Sequence, residues 1–418
     1  MEKTKPDKII VAFDLGTSHS GVAFQYAGNG GDDDRITVIK SWPGGHNLTS
    51  DEQAPPVKGT PFPDWLDEKH LKAELKKRGK SGVDIVADFL IKLHTFAMGE
   101  ISKKFSPVFV ETTPLEYILT VPAIWSDSAK RATLRAAEIA VIVVDVPLLS
   151  EPEAAAVEAL SAMKAENVQE GDVFVVCDAG GGTVDLITYE FETLTPLRFR
   201  EVVPGSGGSC GAYSLNVGFE ELVRKRLGLL NFCKIRRQQP KTWATALQYF
   251  EQYVKRNFNP AHEDSEYDDC GFSVPFPGFP DSEKAGISFG FLSLSQEEVA
   301  GIFNPVVDEV LGLVKGQVSA SKAAGHTPNC LILVGGFGQS EYLFDRIKQR
   351  LNGIDNNAMS CIQAIHAWTA CLRGAVLRGM AGMELVTSRK ARLHHGVICC
   401  ERFVEGKHDP KDKSWSKL

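Results

Sequence analysis

The sequence predicts an α/β fold that is internally duplicated and built as two lobes around a central cleft. Three observations carry this expectation. An apolar strand that ends at an aspartate, then turns through Gly and Thr into a second apolar strand, occurs twice, at Asp14 and at Asp178, 164 residues apart. A third apolar strand, residues 330–334, runs straight into Gly335-Gly336-Phe337-Gly338. The chain has 418 residues, close to three times the ~150 of a usual domain, so it needs several domains or one two-lobed body.

The elements follow in order. Residues 9–13 are a β-branched run, 16–20 a small polar turn and 21–25 apolar again, the pattern of a hairpin with a glycine-bearing tip. Residues 27–68, rich in Gly, Asp and Pro, read as loops with one or two short strands. From 69 to 104 the composition is helical, with Val83, Val86, Ala87, Leu90 and Leu93 at helical spacing. Residues 115–121 are a strand stopped by Pro122. Ser126 or Asp127 caps the next helix, whose alanine stripe (Ala129, Ala132, Ala136, Ala137, Ala140) suits close packing on a sheet. The second copy is strand 173–177, Asp178, the turn Gly180-Gly181-Gly182-Thr183 and strand 184–190. Residues 204–211 are a glycine cluster, 213–258 helical and basic, and 259–290 a Pro/Gly/Asp-rich stretch with a hairpin. A helix over 295–324 opens on a capping box of Ser295 and Glu298, and 364–383 reads as a small-residue helix.

Composition excludes several function classes. There are 46 Lys and Arg against 53 Asp and Glu, a net charge of −7. Nucleic acid is not expected as a partner, because phosphate-backbone binding needs a basic face. No membrane partner is expected either: the longest apolar run, 139–149, contains Asp145 and falls far short of the ~20 residues of a spanning helix. The charged N-terminus runs directly into a strand pattern, with no signal peptide. The nine cysteines form no Cys-x-x-Cys pair, which fits reduced thiols in a cytoplasmic chain rather than a disulfide framework or a zinc site.

The glycine turns carry the chemistry. Backbone N–H groups converging in a turn bind phosphate, and glycine lets the anion approach. Two such turns facing each other can clamp a triphosphate between lobes. An aspartate at a strand end beside each turn suits Mg²⁺, which takes a few carboxylates plus water and phosphate oxygens. One Asp-Gly-Thr hairpin alone would say little, but two of them with a third strand-to-glycine turn specify a phosphate site. Other nucleotide signatures are absent: Gly79-Lys80-Ser81 resembles the end of a P-loop, but Glu74 stands where the upstream glycine belongs.

These motifs have a known counterpart. Asp14-Leu15-Gly16-Thr17-Ser18, Asp178-Ala179-Gly180-Gly181-Gly182-Thr183 and Leu333-Val334-Gly335-Gly336 resemble the two phosphate motifs and the adenosine motif of the actin-like ATPase superfamily, whose fold is ribonuclease H-like. Thr120-Val121-Pro122-Ala123-Ile124-Trp125 and Ser150-Glu151-Pro152-Glu153-Ala154-Ala155-Ala156 resemble the heat shock protein 70 family within it. The late segment from Ser388 to His408 is similar to a divergent branch, the heat-shock 12A/12B proteins and their fungal relatives.

The resemblance implies a chaperone-type nucleotide-binding module that takes ATP or ADP with Mg²⁺ and a monovalent cation (K⁺). Asp14 and Asp178 would hold the metal through water, Asp178 would also orient the attacking water, and Glu151 would help position metal-bound water. Gly16, Thr17 and Ser18 would contact the β- and γ-phosphates from the first turn, and Gly180, Gly181, Gly182 and Thr183 from the second, with Asp185 nearby. Gly335, Gly336 and Gly338 would line the α-phosphate and adenosine, and Lys255-Arg256 would sandwich adenine. Pro122 matches an interdomain switch proline, with Lys130 as its basic partner. The implied organisation is a first lobe over 1–150 with a shortened insertion at about 27–115, and a second lobe over 151–345 with an insertion at about 205–293. Helices at 346–387 return to the first lobe, and 388–418 form a tail like the truncated start of a substrate-binding domain.

Three departures qualify the implication. The lysine that reaches the γ-phosphate has no clear counterpart, since Lys58 stands among prolines. His19 replaces an aromatic residue. The tail is too short for a peptide-binding domain and lid, so client binding is not expected from it, and Val397-Ile398-Cys399-Cys400 reads as a strand edge without neighbours. Two other readings stay open: a nucleotide-sensing pseudo-enzyme, and a filament subunit of the actin or bacterial cell-shape kind.

Overall fold

A computed structural model describes residues 7–16, 19–28, 36–40, 42, 68–140, 146–162, 168–260, 271–352, 359–381, 385–391, 404–405, 407 and 411. Thr17, Ser18, Lys58 and the 397–400 segment lie outside the described residues.

The first repeat opens with the expected hairpin, β1 (Lys8–Leu15) antiparallel to β2 (Ser20–Ala27). A short β3 (Thr37–Val38) pairs with β2. The helix expected over 69–104 is two helices, α1 (Glu68–Lys77) and α2 (Gly82–Phe105). Gly79 takes a φ of +62° that ends the first, and Ser81 with Asp84 forms a capping box that starts the second. After α3 (Pro107–Thr112), β4 (Leu115–Val121) runs parallel to β1. The Ser126 hydroxyl caps α4 (Asp127–Ile139), and β5 (Leu148–Ser150) pairs with β4. The sheet order is β3-β2-β1-β4-β5.

Helix α5 (Glu151–Ala162) leads to the second repeat. Here β6 (Val173–Ala179), β7 (Val184–Leu194) and β8 (Leu197–Gly208) form an antiparallel meander. The glycine cluster at 204–211 is therefore largely strand. A Cβ on Gly207 would stand 2.6 Å from the Val184 carbonyl oxygen and 2.7 Å from Ile124 Cγ2, so glycine is required by close approach rather than by a turn. The helical stretch divides into α6 (Tyr213–Leu227), α7 (Leu229–Gln238), α8 (Pro240–Tyr249), a π-helical turn Phe250–Val254 and α9 (Lys255–Asn257). The hairpin region is a small sheet of β9 (Phe272–Pro275), β10 (Ile287–Ser288) and β11 (Phe291–Leu294). Helix α10 (Gln296–Ala323) opens on the expected Ser295–Glu298 capping box. Then β12 (Cys330–Val334) pairs in parallel with β6, and after α11 (Glu341–Asn352) β13 (Ser360–Gln363) pairs with β12. Helix α12 (Ala370–Ala381) starts later than position 364, because β13 and a 3₁₀ turn over Ala367–Thr369 occupy the residues before it.

The second large sheet has the order β13-β12-β6-β7-β8. Its central strand has antiparallel neighbours on one side and parallel ones on the other, as β1 has. The duplication is thus one of topology as well as of motif.

Strand alternation builds the core in layers. Ile9, Val11 and Phe13 face an outer core with α2 and α4, while Ile10 and Ala12 face inward. In the second sheet Val175, Cys177, Leu331 and Leu333 face outward, and Phe174, Val176, Ile332 and Val334 face inward. The inner layer holds α5 and α12, packed between the sheets through Ala154, Ala155, Ala156, Ala375 and Val376. Their separation is set by small residues: a Cβ on Gly374 would meet the Ala154 carbonyl oxygen at 1.7 Å, and one on Gly379 would meet Ile10 Cγ2 at 2.7 Å.

Beyond α12 the chain pairs with the β8 edge. Val386 bridges Phe199 in parallel, and Arg389 makes a two-pronged ion pair with the buried Glu153 of α5, at 2.8 and 3.2 Å. Among the described residues, no helix is long and apolar enough to cross a membrane, and the described cysteines are free thiols.

The packing of α5 against α12 is testable. Gly374→Ala should lower stability by about 1–3 kcal/mol through overpacking. Gly316→Ala, at an exposed site of α10 with nothing within 4 Å, should raise it by about 0.5–1 kcal/mol. Urea denaturation of both variants decides this, and equal effects would contradict the layered packing.

Candidate functional site

The parity that builds the core also builds the site. Asp14 and Asp178 are the penultimate residues of the two central strands and share the even register of Ile10 and Ala12, and of Phe174 and Val176. Each therefore points inward, at the carboxyl end of its sheet, where open α/β sheets place their ligands. Asp185 on β7 and Thr120 on β4 share this inner face, being cross-strand partners of Asp178 and Asp14. Glu151 joins them from the first turn of α5, and Cys371 from α12.

All four carboxylates are deep in the protein. Asp14, Asp178 and Asp185 are 8%, 5% and 1% exposed. The Thr120 hydroxyl donates to Asp14 Oδ1 at 2.7 Å. The Cys371 thiol donates to Asp178 Oδ2 at 3.4 Å and also lies 3.6 Å from the Glu151 carbonyl oxygen. The Ile124 N–H donates to Asp185 Oδ1 at 3.0 Å, so the turn after Pro122 ties the first sheet to the second. Lys130 sits nearby in sequence, in the first turn of α4. Glu151 Oε1 is buried with no hydrogen-bond partner.

Burial and mutual repulsion raise these acids. Burial lifts Asp14 to about 6, against the opposing Thr120 hydrogen bond. Burial, then the charges of Asp185 and Asp14, lift Asp178 to about 7. Glu151 is pushed well above the carboxylate range, first by burial and then by Asp14, Asp178 and Asp185. Burial, then the Asp178 charge, also holds the Cys371 thiol far above its usual value, so it acts as a donor, not as a thiolate.

Two glycine turns flank the acids. In the second turn the Gly180 N–H donates to Thr183 O at 2.9 Å and closes the loop. The carbonyls of Gly180, Gly181 and Gly182 accept from the amides of Ala212, Tyr213 and Gly211 at 3.1, 2.8 and 3.2 Å. A trans peptide directs the next N–H opposite to its carbonyl, so the amides of Gly181, Gly182 and Thr183 point away from α6. These three amides are a row of donors suited to an anion. A Cβ on Gly211 would lie 2.6 Å from the Gly181 carbonyl, so side chains are excluded behind the turn. In the first turn, a Cβ on Gly16 would meet the His19 carbonyl oxygen at 2.3 Å.

The third turn packs onto the second aspartate. Gly335 has a φ of +88°, and a Cβ there would lie 2.4 Å from Asp178 Oδ1. Gly336 lies under the Trp368 ring, with a would-be Cβ 2.8 Å from Cζ3. The Gly338 carbonyl accepts from Gln363 Nε2 at 2.7 Å.

The basic pair divides its roles. Lys255 Nζ donates to Asn216 Oδ1 at 3.0 Å, and Asn216 in turn donates to Glu251 Oε1 at 2.5 Å. Burial holds the Lys255 amine down to about 8. The Arg256 guanidinium stands over the Trp368 ring, 5.6 Å from its centroid. The His19 ring meets Trp368 edge-on at 5.2 Å. Burial, then Lys255 and Arg256, push His19 down to about 4, so it is neutral at physiological pH.

Thr120, Cys371 and Trp368 are site residues that motif reading missed. Thr120 is implicit in strand parity once β4 is paired with β1. Cys371 and Trp368 stand out in the sequence as a thiol and a large ring in the otherwise small-residue run around Ala367 and Ala370.

The raised acids make stability depend on pH with a definite sign. Asp14 and Asp178 bind protons more tightly folded than unfolded, where a value near 3.8 applies. Their contribution is full below that value and is lost as pH rises through about 6 and about 7. Without divalent metal, the thermal midpoint should fall between about pH 5 and about pH 8. Asp178→Asn should flatten the fall and be more stable than wild type at the alkaline end. An equal fall in both proteins would contradict the burial of this charge.

Comparisons with known proteins show what the chain is similar to. The family model described as Hsp70 protein matches residues 66–193, a span that contains Pro122, Glu151, Asp178 and Asp185. Heat shock 70 kDa protein 12B of Homo sapiens is 25% identical across 96% of this chain and 73% of its own length. Heat shock 70 kDa protein 12A of Homo sapiens is 23% identical across 96% of this chain and 74% of its own. Chaperone protein DnaK of Mycoplasma mycoides is 24% identical across 74% of this chain and 47% of its own. With its two duplicated sheets, the chain has the actin-like ATPase fold; it is similar to the Hsp70 protein family over residues 66–193 and, along most of its length, to the two human proteins.

Proposed function

We propose that this chain is a Mg-ATP-binding, slowly ATP-hydrolysing nucleotide module of the Hsp70 kind. One observation carries the reading: three carboxylates from the two duplicated sheets and a fourth from α5 meet beside a glycine turn, Gly180–Thr183, whose carbonyls are tied to residues 211–213 and whose next amides point the other way. Similarity to the Hsp70 family supports a nucleotide ligand; the residue roles are our reading of the geometry.

The donor set fits a hydrated Mg²⁺. All four groups are hard oxygen donors, and Glu151 Oε1 is buried with no hydrogen-bond partner. Among the described residues no three acidic, histidine or cysteine side chains could cage an ion alone, as suits an ion that keeps water and phosphate ligands. Asp14 and Asp178 would hold it. The ion's contribution when bound is to neutralise charge on the β- and γ-phosphates. A K⁺ near Thr183 and Asp185 belongs to the same reading.

The chain's own residues would do the rest by positioning and charge complementarity, with little covalent work. The amides of Gly181, Gly182 and Thr183 would bind the γ-side phosphates, joined from the first turn by Gly16, Thr17 and Ser18. Gly335, Gly336 and Gly338 would line the α-phosphate and nucleoside. Asp178 would accept a hydrogen bond from the attacking water and orient it, helped by Glu151. The Ile124–Asp185 bond would couple the lobes to the state of the phosphate site. We take lobe boundaries near 150 and 345, with 346–387 as the returning helices and 388–418 as a tail. A reducing compartment such as the cytoplasm suits its free thiols.

Phosphate release with Mg-ATP tests the reading. Slow release is expected, cut by about a hundredfold in Asp178→Asn, the scale on which a positioned base acts. Saturating Mg-ATP at about 100 Kd should stabilise the fold by about 2.7 kcal/mol. Stabilisation without release would favour a nucleotide-sensing pseudo-enzyme, and neither effect in a folded sample would overturn the nucleotide site.

A further inference from the structure

We propose that the outer face of α7 is a peripheral docking surface for a membrane rich in anionic lipid headgroups. Leu229 and Leu230 enter the interface, and Lys225, Lys234, Arg237 and Lys241 rest on the headgroups. None of these residues belongs to the candidate nucleotide site.

Positive charge is concentrated here against the composition of the chain. Residues 222–250 hold seven basic side chains and no acidic one, in a protein of net charge −7. Three of the seven are neutralised within the fold. Arg224 pairs with Glu221 at 3.1 Å, Arg236 with Glu220 at 2.5 Å, and Arg226 with Glu298. The other four, Lys225, Lys234, Arg237 and Lys241, are exposed and form no ion pair among the described residues. They stand in the last turn of α6, along α7 and in the first turn of α8.

The apolar part is held outward by local structure. Gly228, with a φ of +75°, ends α6 and starts α7 at Leu229. Leu229 is 62% exposed and Leu230 87%. Leu230, Lys234 and Arg237 follow at spacings of four and three, so they share one stripe of the helix. The opposite stripe is fixed. Phe232 and Ile235 are buried, and the Arg236 guanidinium lies over the Phe232 and Trp243 rings at 5.6 and 5.9 Å. Gln239 Nε2 donates to the Gly278 carbonyl at 3.2 Å and pins the far end. The helix cannot turn its leucines inward without breaking this packing.

Exposed leucines beside cations that lack counter-charges fit a partner that is anionic and apolar at once. A nucleic-acid backbone supplies the charge but no apolar depth for Leu230. An acidic peptide would seat the leucines only in a groove, and these two protrude at a helix start. The headgroup boundary of an anionic bilayer supplies both charge and depth. Such a contact needs no spanning helix: α7 has 10 residues and lies along the surface.

Cosedimentation of the full chain with phosphatidylcholine vesicles, with and without phosphatidylserine, tests this. Binding is expected to the phosphatidylserine vesicles alone and should weaken with added salt. Lys234→Gln and Arg237→Gln should each weaken it about fivefold. Leu229→Ser with Leu230→Ser should weaken it about tenfold. All four positions are exposed, so unchanged thermal midpoints certify the folds. No binding to phosphatidylserine vesicles by folded wild type would overturn the proposal. So would binding left unchanged by the leucine pair, which would mark a purely electrostatic patch for an acidic macromolecule. Binding left unchanged by Lys234→Gln and Arg237→Gln would place the contact elsewhere on the chain and overturn it as well.

Discussion

The burial of like charges at one point constrains everything else in this molecule. Asp14, Asp178 and Asp185 stand close enough to Glu151 that their charges, after burial, raise its pKa, and those of Asp185 and Asp14 likewise raise Asp178. Uncompensated buried charge is costly, and such groups neutralise or find a counter-charge. The scaffold must therefore be stiff enough to hold them together. Two duplicated sheets do this because strand side chains alternate with period 2: one register commits Ile10, Ala12 and Asp14 to the same face, and Phe174, Val176 and Asp178 to its counterpart. Moving either central strand by one residue would turn its aspartate into the outer core.

The middle layer decides how near the two sheets come. Helices α5 and α12 fit between them because Ala154 to Ala156 and Gly374 remove side-chain bulk at the crossing. The same helices deliver Glu151 and Cys371 to the acids, so packing and chemistry are one design. Cys371 belongs to both: it fills the layer and donates to Asp178. The Ile124–Asp185 bond and the Arg389–Glu153 pair attach further segments to this layer. The carboxylate cluster is thus joined through packed contacts to the β8 edge, where Val386 bridges Phe199.

Much of this was legible in the sequence because it is local. Asp14, Asp178 and the three glycine turns are each marked within a few residues, and the capping box at Ser295 obeys short-range rules. The break at Gly79, between Arg78 and Lys80, is masked in the sequence by good helix composition on both sides. Residues 204–211 show only as a glycine cluster in the sequence, because Gly207 answers to Ile124 and Val184 pressing on it rather than to its neighbours in the chain. The β13 strand and the late start of α12 depend on pairing with β12. Trp368, Cys371 and Thr120 escape motif reading for the same reason: the partners that define them, Arg256, Asp178 and Asp14, are distant in sequence, and no local pattern encodes a contact of that kind.

The central claim is that Asp14 and Asp178, from two copies of one motif, serve a single ion and its triphosphate. A double-mutant cycle on Mg-ATP affinity, using Asp14→Asn, Asp178→Asn and the pair together, tests it directly. Groups sharing one ligand are coupled, so the double variant should lose little more than the worse single one. Losses that simply add would place the two aspartates in separate sites and contradict the account.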